Sequence, residues 1–224
     1  MNQFIRRSLA FVAGYCDTVT FIHMGGVFCA HVTGNFVLFG ASVARGIESE
    51  DYLKIVTFPV FVIGVVLATL LIHRLQRTQT EGWLRSTFWC ITLLHSLALI
   101  CAFAEDPTLD VVATMLLVVA LSFQNTIHHF TPGPMTTVMT GTVMNTTAKF
   151  TKTYLLSERS HKEESDSGPG PGLGMIVAFL GGCTLGSLGA FEYGLKSLAV
   201  STLVVFLVVV VGCRFHEKVR KSSS

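Results

Sequence analysis

Half of the 224 residues are hydrophobic, only 13% are charged, and the mean hydropathy is +0.59. These proportions exclude an ordinary soluble domain and predict an all-α, polytopic membrane protein whose first partner is the lipid bilayer. The net charge of +2 is small, and the basic residues sit at segment ends without interleaved aromatics, so no nucleic-acid partner is expected.

In chain order, apolar segments fall at Ser8 to Met24, Val27 to Ala44, Thr57 to Leu75, Ser86 to Ala104, Leu109 to Ile127, Leu173 to Phe191 and Leu198 to Cys213. A weaker, threonine-rich segment runs from Met135 to Leu156. The first follows Arg6 and Arg7 as a signal peptide would. Asp17 interrupts it and no small-residue cleavage site precedes that break, so a retained span is expected. The six cysteines (Cys16, Cys29, Cys90, Cys101, Cys183 and Cys213) all lie in apolar runs without a CxxC pair. They read as small hydrophobes, and neither a cofactor nor a metal is expected.

Basic residues decide how many segments cross, because Lys and Arg near span ends stay on the cytoplasmic side. They cluster at Arg6 and Arg7; at Arg74, Arg77 and Arg85; at Lys149, Lys152, Arg159 and Lys162; and at Arg214, Lys218, Arg220 and Lys221. An even number of crossings must separate each cluster from the next. Three apolar segments lie between Arg7 and Arg74, so one of them does not cross, and the same holds between Arg85 and Lys149. The solution is six spans with both termini cytoplasmic. Val27 to Ala44 and Met135 to Leu156 are then broken or re-entrant pieces. Each belongs to a stretch (Ser8 to Arg45, Met115 to Lys152) that would reach roughly 57 Å as one helix, nearly twice what a crossing needs. The stretch "SERSHKEESDSGPGPG", residues 157–172, has the composition of a flexible cytoplasmic loop.

The two halves repeat one pattern. Thr33-Gly34 matches Thr140-Gly141, Asp17-Thr18 matches Asn125-Thr126, and "FVIGVVLA" from Phe61 matches "FLGGCTLG" from Phe179. Repeat one covers residues 8–106 and repeat two residues 107–216. Three crossings in each half turn the second upside down relative to the first, giving two inverted three-helix repeats, an architecture found in secondary transporters and also in channels.

At these residues the chain resembles the YoaK family of integral membrane proteins. The resemblance rests on "GYCDTVTFIHMGGVFCAHVTGN", "FQNTIHH" and "TTVMTGT", extends from Ala10 to Gly212, and implies a six-span membrane protein. Thr142 stands where a second Asn would match Asn35, and the pair His128 and His129 is not a family signature.

A Thr-Gly-Asn triplet in an apolar run needs partners, since unsatisfied amides in hydrocarbon cost several kcal/mol each. If the chain breaks near Gly25-Gly26 and resumes as a half-helix, with Pro132-Gly133-Pro134 making the equivalent break, free N–H groups point into the membrane. Thr33, Gly34, Asn35, Thr140, Gly141, Thr142 and Asn125 are then the expected substrate-binding residues for a small polar or anionic solute. The competing reading has Gly34 and Gly141 as close helix contacts with Thr and Asn as glue. Asp17, an acid at membrane depth, is the expected ion-coupling residue, or a structural Asp held by Asn125 or Thr20. His23, His31, His95, His128 and His129 offer proton relays. Gly182 and Gly186 form a GxxxG expected to mark a close helix crossing, with Gly64 and Ala68 its counterpart. Nucleotide-binding, zinc-protease and serine-hydrolase motifs are missing. The expected function is transport, not catalysis; a channel, a scaffold and an intramembrane enzyme are the alternatives.

Overall fold

A computed structural model describes residues 1–78, 82–131, 136–137, 139–152 and 170–222, with side chains up to residue 211. Among them are eight α-helices: α1 (Gln3–His23), α2 (Val32–Arg45), α3 (Asp51–Thr78), α4 (Trp83–Ala102), α5 (Pro107–Phe130), α6 (Met139–Phe150), α7 (Gly170–Tyr193) and α8 (Leu198–Ser222). A single 3-10 turn, Gly194–Ser197, joins α7 to α8. Among the described residues there are no strands.

Local chemistry sets several boundaries. The Asn2 side chain accepts the Ile5 N–H at 3.0 Å and starts α1. Asp106 caps α5 in the same way, with Pro107 in the first turn where its missing N–H is no loss. Helix α1 stops where Gly25 and Gly26 take φ values of 63° and 89°, conformations that side-chain-bearing residues rarely adopt. Helix α7 begins at Gly170, so the loop expected through Gly172 ends earlier; Pro171 fits a first turn, where its fixed φ is already helical. The remainder of that loop, and the Pro132-Gly133-Pro134 break, lie outside the described residues.

Four stretches are long and apolar enough to cross a membrane: Asp51–Thr78, Trp83–Ala102, Pro107–Phe130 and Gly170–Val211, the last containing α7 and the start of α8. The most apolar window, in α3, has a mean hydropathy of 2.8 yet is only 22% buried. Exposed Val62, Ile63, Val66, Leu67 and Leu70 make sense on a helix whose solvent is lipid. Helices α2 and α6 have 14 and 12 residues, about 21 and 18 Å, too short for a core about 30 Å thick.

Helix α1 is the hub. It runs parallel to α7, with Arg7 against Gly174, Phe11 and Tyr15 against Gly182 and Gly186, and His23 against Gly194. The backbones touch: a Cβ added at Gly182 would stand 2.2 Å from the Phe11 carbonyl oxygen, and one at Gly14 2.4 Å from that of Phe179. The GxxxG is therefore a helix crossing, and Gly64 makes the equivalent approach to Val119 and Ser122 of α5. Helices α4 and α8 are antiparallel, with Thr202 at His95 and Phe206 at Trp89. The other packed pairs are α4 with α5, α3 with α5, α1 with α8, α2 with α3, α6 with α7, α3 with α4, and a short α1–α5 contact.

Two ends of the bundle emerge from these contacts. At one, His23 meets Asp110 at 3.0 Å, Glu105 pairs with Lys196, and Arg45 and Lys54 share Asp51. At the other, Trp83 packs edge-on to Phe130 and Gly172 lies against Thr146.

Candidate functional site

After α1 the chain turns at Gly25-Gly26, beside Glu50 and Lys54, then doubles back along α1 before α2 begins. Asp17, 3% exposed, sets where it stops. One carboxylate oxygen accepts the backbone N–H groups of Cys29 (2.8 Å), Ala30 (2.6 Å) and His31 (3.4 Å). The other takes the Nδ1 atom of the His31 ring. Three amides and an imidazole on one buried carboxylate offset its desolvation and hold the loop at the depth of the α1 interior.

The Thr-Gly-Asn triplet forms the first turn of α2. Asn35 is fully buried and completes the loop: its Oδ1 accepts the Phe28 N–H at 2.8 Å, and its Nδ2 donates to the Phe28 carbonyl and to Thr57 Oγ1 of α3, both at 2.8 Å. Gly34 donates its N–H to the His31 carbonyl at 2.8 Å, and a Cβ there would meet the Phe28 ring at 3.1 Å. The closeness Gly34 permits is to its own loop. Thr33 is exposed at the start of α2.

The second half repeats these ties with different residues. Thr137 donates its hydroxyl to Asn125 Oδ1, a partner twelve residues away, the same separation as between Asp17 and Cys29. Thr136 is held by Gln124 Nε2 at 3.1 Å and by His128 Nε2, which accepts the Thr136 N–H at 3.3 Å. Gln124 also donates to the Leu9 carbonyl at 3.0 Å, tying α5 to α1. In α6, Thr140 is exposed, Gly141 is half-buried and Thr142, the counterpart of Asn35, is buried.

The two loops face each other. The Thr137 backbone lies within interaction range of the His31 ring, so a polar line runs Asp17, His31, Thr137, Asn125 across the bundle. His31 is the accessible member, its side chain 35% exposed against 4% for Asp17. Its ring also meets Phe179 of α7 edge-on, with centroids 5.6 Å apart. The expected binding residues thus divide. Asp17, Asn35 and Asn125 hold the loops, Thr33 and Thr140 lie exposed at the helix starts, Gly34 packs on the Phe28 ring, Gly141 is half-buried and Thr142 is buried. Thr20 uses its hydroxyl on the Cys16 and Asp17 carbonyls, not on the carboxylate.

Sequence reasoning left His31 among five candidate histidines and missed Gln124 and Thr136. The twelve-residue separation that recurs from Asp17 and from Asn125 is visible only in the folded loops. The other described histidines are dispersed: His95 sits by Cys16 at 3.9 Å, His128 on Thr136 and His23 on Asp110, while His73 and His129 are exposed. Among the described residues no cluster of three or more His, Cys, Asp or Glu side chains stands ready for a metal.

Comparison with known proteins follows the same lines. The chain is 31% identical over 70 residues to UPF0700 transmembrane protein YoaK of Bacillus subtilis (strain 168), an alignment that covers 31% of each chain. No solved structure matches. The family model described as "Protein of unknown function (DUF1275)" matches residues 6–211. With apolar, lipid-suited helices and a match over nearly its whole length, this integral membrane protein belongs to the DUF1275 family.

Proposed function

We propose that the protein is a secondary transporter of a small polar or anionic solute, with six crossings arranged as two inverted three-helix repeats. In this reading α1, α3 and α4 cross in the first half, α5, α7 and α8 in the second, and α2 and α6 are re-entrant half-helices. The pattern of packed helices supports it. Exchanging α1 with α5, α2 with α6, α3 with α7 and α4 with α8 turns the α1–α7 contact into α5–α3, α4–α5 into α8–α1, and α2–α3 into α6–α7; α4–α8 and α1–α5 map onto themselves. Most of the cations follow the charge rule: Arg7, Arg74, Arg77, Arg85 and Lys149 belong to the Trp83–Phe130 end, which becomes cytoplasmic, against Arg45, Lys54 and Lys196 at the other end.

The observation that carries the transport reading is the meeting of two half-helix entry loops inside the bundle, at Asp17–His31 and Thr137–Asn125. Half-helices that start at membrane depth direct their N-terminal amides there, and their entry loops are the elements that alternating access moves. An acid–imidazole pair at that place is suited to couple a proton to movement of the solute. The complete hydrogen bonding of Asn35 favours a second reading, a non-transporting scaffold in which the polar groups serve only each other.

Flux separates the two. Purified protein in proteoliposomes is offered a panel of labelled small carboxylates, amino acids and sugars under an imposed proton gradient. Transport predicts saturable uptake of at least one class, abolished or uncoupled from the gradient by Asp17→Asn, which keeps an oxygen for the loop amides but loses the charge. Uptake no faster than in empty vesicles across the panel refutes the transporter.

A further inference from the structure

Away from the midplane loops, a cavity of about 290 Å³ opens at the end of the bundle where α1 stops. Its walls are the Gly25-Gly26 turn, Phe21, Leu38 of α2, and two cations, Arg45 and Lys54. We propose that this cavity binds a small organic anion through its carboxylate or an equivalent oxyanion.

The donors carry the argument. Arg45 Nη2 and Lys54 Nζ both bond Asp51 Oδ1, at 2.9 and 2.6 Å, so two positive charges share one negative. That carboxylate is already saturated: Ser42 Oγ donates to it at 2.7 Å and the Glu48 N–H at 3.0 Å. Asp51 is 1% and Lys54 4% exposed, and Glu50 beside Gly25 balances the second cation, so what the cavity offers an anion is hydrogen-bond donors and not net charge. The Arg45 side chain, by contrast, is 60% exposed. A guanidinium has five donors in a planar fork that suits a carboxylate, and Asp51 engages Nη2. Besides Asp51, Glu50 opposes an anion here; its carboxylate lies against Gly25 at the exposed rim. Phe21 and Leu38 add apolar surface to the lining, and the volume lies at the small end of ligand sites, near 300 Å³. A short-chain carboxylate has both features. The same chemistry is found in a free solute and in an anionic lipid headgroup.

The site goes beyond the transport reading, because it is tested by binding and stands whether or not solute crosses. Full-length protein in nanodiscs of zwitterionic phosphatidylcholine is titrated calorimetrically with propionate and, in parallel, with its neutral isostere propionamide. The expected result is saturable propionate binding, no propionamide binding, a loss of about ten-fold or more in Arg45→Gln, and tighter binding in Glu50→Gln. Arg45 is exposed enough for its variant to fold, and the Glu50 variant moves affinity in the direction that damage to the fold does not. Repeating the titration in nanodiscs containing phosphatidylglycerol identifies the source: competition assigns the oxyanion to a headgroup, unchanged affinity assigns it to a free solute. Equal binding of propionamide, no propionate binding, or affinity unaffected by Arg45→Gln overturns the proposal.

Discussion

Replacing Gly182 by Ala tests the α1–α7 contact on which the bundle is centred. The added methyl would stand 2.2 Å from the Phe11 carbonyl oxygen and 3.0 Å from both the Phe11 carbonyl carbon and the Tyr15 nitrogen, whereas ordinary contact begins near 3.4 Å. The two helices must therefore part by about 1.2 Å (3.4 minus 2.2) at that level. All three obstacles are backbone, so no rotamer relieves them. Gly14 and Gly186 sit in the same seam, with added Cβ atoms 2.4 and 2.7 Å from the carbonyl oxygens of Phe179 and Tyr15. A separation at Gly182 loosens those contacts as well. Overpacking of this kind costs about 1–3 kcal/mol, and the backbone obstruction places this case at the upper end. For a chain of this size about 3 kcal/mol lowers the melting midpoint by roughly 6–12 °C. The matched control is the neighbouring Gly181, where nothing lies within 4 Å; Gly181→Ala is expected to be neutral or slightly stabilising. Thermal melts of both variants in one detergent, followed by circular dichroism at 222 nm, a general helix signal, decide the matter. Equal midpoints for Gly182→Ala and Gly181→Ala would refute the close crossing.

Other expectations follow from the loops and the ends. Asn35→Ala strips three hydrogen bonds from a fully buried position and leaves both Phe28 backbone groups unpaired, a loss of about 2–4 kcal/mol, visible as a lower midpoint in the same melts. Asp17→Ala should destabilise more than Asp17→Asn, because Asn retains an oxygen for the Cys29 and Ala30 amides; equal losses would show that the amide bonds contribute nothing. If uptake is proton-coupled, its pH dependence should flatten in His31→Gln; an unchanged profile removes His31 from the coupling. Lys196 beside Glu105 holds that carboxyl below its usual range. The pair's contribution is therefore present above the ordinary carboxylate pKa, about 4.3, and lost as pH falls through the lower folded value. Glu105 is exposed, so Lys196→Ala should leave the midpoint at pH 7 within error.

The order and approximate bounds of the helices were legible in the sequence because lipid imposes long apolar runs, and the charge rule exposed the surplus length before Arg45 and before Lys152. The break at Gly25-Gly26 and the restart before Thr33 were legible for a local reason: two consecutive glycines followed by a triplet that weakens a helix and needs hydrogen-bond partners. Asp17's partners were not. They lie twelve to fourteen residues downstream, and a loop without regular structure has no period from which to read its path. The Thr-Gly-Asn triplet was assigned to solute binding on its chemistry alone, whereas Asn35 faces its own loop and Thr57, a direction fixed by the position of α3. Arg45 and Lys54 fall outside the four basic clusters that set the crossings, and nothing in the sequence joins them to Asp51. Only the packing of α2 against α3 brings two of the three under cover as a cluster.

Single-cysteine labelling tests the re-entrant geometry most directly. In a cysteine-free background, Met24→Cys and Ser49→Cys flank α2, while His129→Cys lies before α6 and Ala148→Cys in its last turn; each is probed with a membrane-impermeant maleimide in intact and permeabilised cells. The account predicts that Met24 and Ser49 label from outside, and that His129 and Ala148 label only after permeabilisation. Opposite-side labelling within either pair would mean that the half-helix crosses, and would contradict the account.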